Sequence, residues 1–314
     1  MIAWSALPAW NFASRQLRQL GRFAVLAAAS ALLTGCAAVP ARAARQAEAP
    51  QDVMKEVMAR KDKIVNLSRV ESSLGKPVLL LLHGATDDPT EMMNIVRDYQ
   101  DEYDVFLYCY NYHHRVERVG ADLSMEVRRL CAENKFFTNA TVLTYSYGAI
   151  VFREAVIDEQ DSSLFSGMSL VQLVPTAGGS HLARWMWIPI IGQLSGLASK
   201  PSAAENPYGR CAERLWAGAG NRKFYAAIPP KRMYTILLEG DTHSLATAWS
   251  QSVRQRYRNG IGINVVVIPR AAGLTHEYLP TERAALGYLR RPLQKSAAEA
   301  VSNADSRAAV AFKL

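Results

Sequence analysis

Ala140-Thr141-Val142-Leu143-Thr144-Tyr145-Ser146-Tyr147-Gly148-Ala149-Ile150-Val151 is the stretch on which the fold turns. Its first six residues are a run of strand length, apolar and β-branched, and a helix is expected from Gly148 onward. Between them Ser146 stands at the tip of Thr144-x-Ser146-x-Gly148. A turn this tight projects the serine hydroxyl only if the residues two positions away are small enough for strand and helix to approach. Gly148 meets that need, and Thr144 meets it less well.

Working outward, runs of the same length recur. PVLLLL (77–82) and DVFLYCY (104–110) precede the stretch; LVQLV (170–174), YTILLE (234–239) and INVVVI (263–268) follow it. Continuous apolar runs imply strands buried on both faces, hence a parallel sheet covered by helices. The helices between them are legible. Asp88-Pro89-Thr90-Glu91 offers an N-cap acceptor, a proline at the first helical position and a glutamate placed for a capping box. Val119, Leu123, Val127 and Leu130 form an apolar stripe at helical spacing. Strand, helix, strand, helix in this order implies right-handed crossovers and a doubly wound, mostly parallel α/β sheet. In such a sheet chemistry sits on the loops at the carboxyl ends of strands. Residues 52–70 read as a helix plus an edge element. Residues 181–230 separate two strands by more than a simple crossover needs, and read either as an inserted helical cap or as a longer packed crossover. The Ala-rich residues 293–314 read as a helix end and a tail.

The chain of 314 residues is 49% hydrophobic and 20% charged, which excludes a disordered or collagen-like polymer. Its 36 Lys and Arg against 28 Asp and Glu give +8, and Arg15, Arg18 and Arg22 account for three of those charges before any acid appears. The rest carries an ordinary excess, without a basic run interleaved with aromatics, so nucleic acid is not an expected partner. After the three arginines comes the apolar run Phe23 to Leu33, too short for a bilayer-spanning helix, which takes about 20 residues. It ends in Leu33-Thr34-Gly35-Cys36, which resembles the lipobox of bacterial lipoproteins. That resemblance implies a signal peptide over 1–35, acylation of Cys36 as lipid attachment, a polar tether over 36–51 and, with Ala37 next, an outer-membrane address. Of the other cysteines, Cys109 reads as a buried strand residue. Cys131 and Cys211 are either a disulfide pair or two thiols. No Cys and His spacing points to a metal, and no cofactor is expected.

The Thr144-x-Ser146-x-Gly148 turn resembles the nucleophile elbow of the α/β-hydrolase superfamily, and Leu82-His83-Gly84-Ala85 resembles the oxyanion loop of its bacterial lipases. The resemblance covers residues 76–292, within a domain spanning 52–292. It implies an α/β-hydrolase fold with Ser146 as nucleophile and the backbone amides of Ala85 and Tyr147 as oxyanion donors, while His83 packs beneath the loop. The superfamily's chain order of serine, acid and histidine implies Asp241, after YTILLE, and His276, after INVVVI. His243 is the rival base; Glu239 and Asp161 are the rival acids. Val174-Pro175-Thr176-Ala177-Gly178-Gly179-Ser180 resembles a lipase segment that carries a histidine absent here. The expectation is a membrane-anchored serine hydrolase of carboxylic esters, with acyl or lipid esters favoured by the tether and by Trp185, Trp187 and Ile191 as pocket residues. A peptidase or thioesterase on the same machinery, or a silent lipoprotein that binds lipids or cell-envelope fragments, are the alternatives.

Overall fold

The computed structural model describes residues 62–67, 76–85, 89–161, 163–176, 218–241, 264–276 and 279–311. Cys36, Trp185, Trp187, Ile191, Cys211 and His243, the signal and tether segments, and most of the expected cap lie outside the described residues.

Seven strands form one sheet: β1 (Lys63–Asn66), β2 (Val78–Leu82), β3 (Asp104–Cys109), β4 (Thr141–Tyr145), β5 (Ser169–Leu173), β6 (Met233–Leu238) and β7 (Asn264–Ile268). Their order across the sheet is β1-β3-β2-β4-β5-β6-β7. β1 pairs with β3 antiparallel, and every other pairing is parallel. The apolar runs account for this. Every residue of β2, β3, β4, β5 and β6 is buried, as strands covered on both faces require.

Each face has its own core. Against one pack α2 (Val116–Glu133), α3 (Gly148–Asp158) and α4 (Gly218–Ala227), through Val119, Leu123, Val127, Ile150, Phe152 and Phe224. Against the other pack α1 (Met93–Tyr99) and α5 (Arg283–Ala311), through Ile95, Val96, Leu286, Leu289 and Leu293. The sheet is therefore wound on both faces. Arg232 ties α4 to the sheet, donating to the carbonyls of Ala227, Ser166 and Met168.

Several expectations change in detail. The edge element of residues 52–70 is β1. The end of the 181–230 segment is α4, whose Phe224 packs edge-on against Phe152 of α3, so this part is a crossover helix in the core. α5 passes through Pro292 to Ala311 without a break, so the last helix and the stretch read as a tail are one element. β7 is not buried on both faces. It is an edge strand of the described sheet, as β1 is at the other side, and Val265 and Val267 are exposed. Cys109 and Cys131 carry free thiols, which burial pushes up to about 12 and about 11 respectively.

Candidate active site

Because β2, β4, β5, β6 and β7 are parallel, their carboxyl ends open on one edge of the sheet. The chain leaves β4 through a turn that only a special sequence tolerates. Ser146 adopts φ 48°, the left-handed region that a residue with a Cβ rarely enters, at a typical cost of about 1–3 kcal/mol. The surroundings hold it there. The Ser146 N–H extends the β4–β5 ladder to the carbonyl of Leu173 at 3.0 Å, and its own carbonyl accepts from Ala149 and Thr176, each at 3.3 Å. α3 then starts at Gly148, where an added Cβ would lie 2.7 Å from the carbonyl oxygens of Leu82 and His83. Only glycine lets the helix approach the end of β2 so closely. Thr144 is accommodated in place of a second glycine, but its hydroxyl is buried without a hydrogen-bond partner among the described residues.

The strained turn aims Ser146 at the loop that follows β7. His276 Nε2 lies 2.8 Å from Ser146 Oγ, and His276 Nδ1 lies 2.8 Å from Asp241 Oδ2. An ionised carboxylate only accepts, so Nδ1 carries the proton and donates to Asp241, while Nε2 accepts from the serine hydroxyl. All three residues are buried, and the Asp241 side chain has no exposed surface. Asp241 is delivered by a turn after β6 in which its N–H bonds the carbonyl of Leu238 at 3.1 Å. His276 is delivered by a helical turn of one step, Arg270–Ala272, closed at Gly273 with φ 68°.

No protein-family model matches this chain, and no curated protein matches it in sequence. Solved structures do match it in shape. Esterase B from Lactobacillus rhamnosis superposes with a TM-score of 0.51 at 12% identity, covering 92% of this chain and 99% of that one. The same enzyme in a C6-C4 SN3 inhibited form gives 0.51 at 14% identity, covering 90% and 99%. Aspergillus fumigatus lipase B gives 0.50 at 14% identity over 74% of this chain and 54% of that one. Together with the strand order, these likenesses decide the fold. It is the α/β-hydrolase fold.

Within the α/β-hydrolase fold of this chain, the loop after β2 faces the same edge. The buried His83 ring stacks on Tyr110 with centroids 3.9 Å apart. Its Nε2 accepts the Tyr110 N–H at 3.3 Å, so Nδ1–H donates to the Gly84 carbonyl at 3.0 Å. This is the packing role expected for His83. The Gly84 N–H is taken by Glu91 at 2.6 Å, which leaves Ala85 as the next amide of that loop. The Glu91 carboxylate thus reaches back to the loop, and a 3-10 turn, Pro89–Met92, precedes α1; Asp88, the other half of the expected capping box, lies outside the described residues. Tyr147 follows Ser146 at the start of α3, with its ring wholly buried edge-on to Tyr112.

The rival acids lie elsewhere. Glu239 accepts the Arg270 N–H at 3.0 Å, and Asp161 accepts from the backbone and hydroxyl of Ser163. Thr176 was not singled out from the sequence, yet its N–H reaches the Ser146 carbonyl and its buried hydroxyl has no partner among the described residues. Tyr145 was missed as well: its hydroxyl donates to the His276 carbonyl. Among the described residues no group of three or more His, Cys, Asp or Glu side chains is placed to hold a metal ion, and no helix is long and apolar enough to cross a membrane.

Proposed function

We propose that this chain is a serine hydrolase of carboxylic esters in which Ser146, His276 and Asp241 act as a catalytic triad. The observation that carries the reading is the continuous hydrogen-bond chain from Ser146 Oγ through the imidazole to a fully buried carboxylate. In this mechanism Ser146 Oγ attacks the ester carbonyl while His276 Nε2 takes its proton. Asp241 holds the Nδ1–H tautomer and stabilises the imidazolium that forms. The amides of Ala85 and Tyr147 donate to the oxyanion of the tetrahedral intermediate. His276 returns the proton to the leaving alcohol, and water then repeats the sequence on the acyl-enzyme.

An acyl or lipid ester is the favoured substrate. The reading is supported by the apolar residues Trp185, Trp187 and Ile191 between β5 and α4, and by the lipobox-like end of the leader, which argues for attachment through acylated Cys36 at the outer membrane. One solved neighbour, the esterase from Lactobacillus rhamnosis, has also been captured with a tributyrin phosphonate. A series of p-nitrophenyl esters tests the substrate class. Turnover should rise with acyl length and fall on Trp187→Ala for long chains far more than for acetate, since each buried CH₂ contributes about 0.8 kcal/mol. Equal loss on acetate and long-chain esters, with a lower Tm, would contradict the lipid part of the reading.

A further inference from the structure

Tyr145, immediately before the nucleophile, is buried on the face of β4 opposite Thr144. Its hydroxyl donates to the main-chain carbonyl of His276 at 2.6 Å, across 131 residues of sequence. Its ring lies 5.7 Å from the imidazole, centroid to centroid. The same ring closes on the loop after β2, where an added Cβ on Gly84 would lie 2.8 Å from Tyr145 Cε1. One rigid side chain thus touches the backbone of the loop that bears His276 and of the loop that bears Ala85.

Besides this bond, the described contacts of the His276 loop include the Arg270 N–H on Glu239 at 3.0 Å, Leu274 against the core and the His276–Asp241 bond. Pro269 through Gly273 and Thr275 are exposed, and β7, from which the loop departs, is an edge strand of the described sheet. A further bond to the His276 carbonyl, from the N–H of Leu279, is 3.5 Å long, at the limit of such contacts. The Tyr145 bond is short and buried, where water does not compete.

We propose that Tyr145 is a positioning residue: its hydroxyl fixes the main chain of His276 and thereby the approach of Nε2 to Ser146 Oγ. The proposal rests on the reading of Ser146 and His276 as nucleophile and base. It differs from a purely structural role because Tyr145→Phe keeps the ring, and with it the contact to Gly84, while releasing the carbonyl.

The test compares the purified chain with Tyr145→Phe in three measurements: kcat and KM on p-nitrophenyl butyrate, Tm, and the downfield proton resonance of His276 Nδ1–H. A misplacement of about 1 Å can cost on the order of 100-fold in rate, so kcat should fall about 10–100-fold. KM and Tm should change little, and the resonance should broaden as the Asp241 bond becomes mobile. In an active enzyme both the fall in kcat and the broadening are required, and either alone overturns the proposal. If the wild-type chain hydrolyses no ester, the hydrolase reading falls, and the resonance alone then decides whether Tyr145 sets the imidazole. Should Tyr145→Phe fail to fold, fluorotyrosines at position 145 keep the ring and strengthen the donor stepwise; kcat must then track donor strength, and a flat series overturns the proposal.

Discussion

β4 and β7 each lead to a residue of the Ser146–His276–Asp241 chain, yet they are built in opposite ways. β4 lies in the middle of the sheet with every residue buried, and Ser146 follows it without an intervening residue. β7 is an edge strand, alternately exposed, and seven residues separate Ile268 from His276 along a largely exposed loop. Ser146 is therefore fixed by its own backbone: a left-handed φ, a ladder bond to Leu173 and a glycine pressed against the end of β2. His276 is held by contacts remote in sequence, with the carboxylate of Asp241 and the hydroxyl of Tyr145. A central strand supplies precision locally, whereas an edge strand must borrow it.

The sharpest way to break this comparison is to remove one member from each side. Ser146→Ala and His276→Ala should each lower kcat by several powers of ten, and the double change should cost little more than either alone, because groups that act as a unit are not additive. Additive losses would mean that the two loops do not share one step.

A smaller effect separates local from borrowed precision. Gly148→Ala forces a methyl group against two backbone oxygens, and denaturant unfolding should register a loss of about 1–3 kcal/mol or more, as for other overpacked sites. Gly273→Ala meets open space and suffers only from its φ of 68°, so its loss should stay near 1 kcal/mol, the usual cost of a left-handed residue with a Cβ. Equal losses would remove the contrast drawn between elbow and loop.

Much of this arrangement was legible in the sequence. The run from Ala140 to Val151 reads as strand, turn and helix because its apolar residues change period at Ser146. The order of serine, acid and histidine implied by the α/β-hydrolase resemblance pointed to Asp241 and His276, with His243, Glu239 and Asp161 as rivals. Other features were not legible for physical reasons. A valine-rich strand such as β7 looks the same whether central or at an edge, since its neighbours are set by topology rather than by its own residues. The hydrogen bond from the Gly84 amide to Glu91 has no local signature, because it exists only once β2 and α1 are packed. The hydrogen bond of Tyr145 has its partner 131 residues away, and no local pattern announces it.

The smallest effect concerns Thr144, which stands where a second small residue was expected. Its hydroxyl is buried and has no partner among the described residues, and an unpaired buried hydroxyl costs about 1–3 kcal/mol in general. Thr144→Val should therefore raise the midpoint of denaturation at unchanged slope. A lower midpoint would mean that the hydroxyl has a use within the elbow.

The central claim is that the strained Ser146 is a nucleophile activated by His276, and covalent labelling tests it most directly. Treating the folded chain with a fluorophosphonate and mapping the adduct by mass spectrometry should find it on the peptide carrying Ser146. The adduct should be absent in Ser146→Ala and should form far more slowly in His276→Ala. A folded wild-type chain that leaves Ser146 unmodified, or one labelled equally fast without His276, would contradict the account.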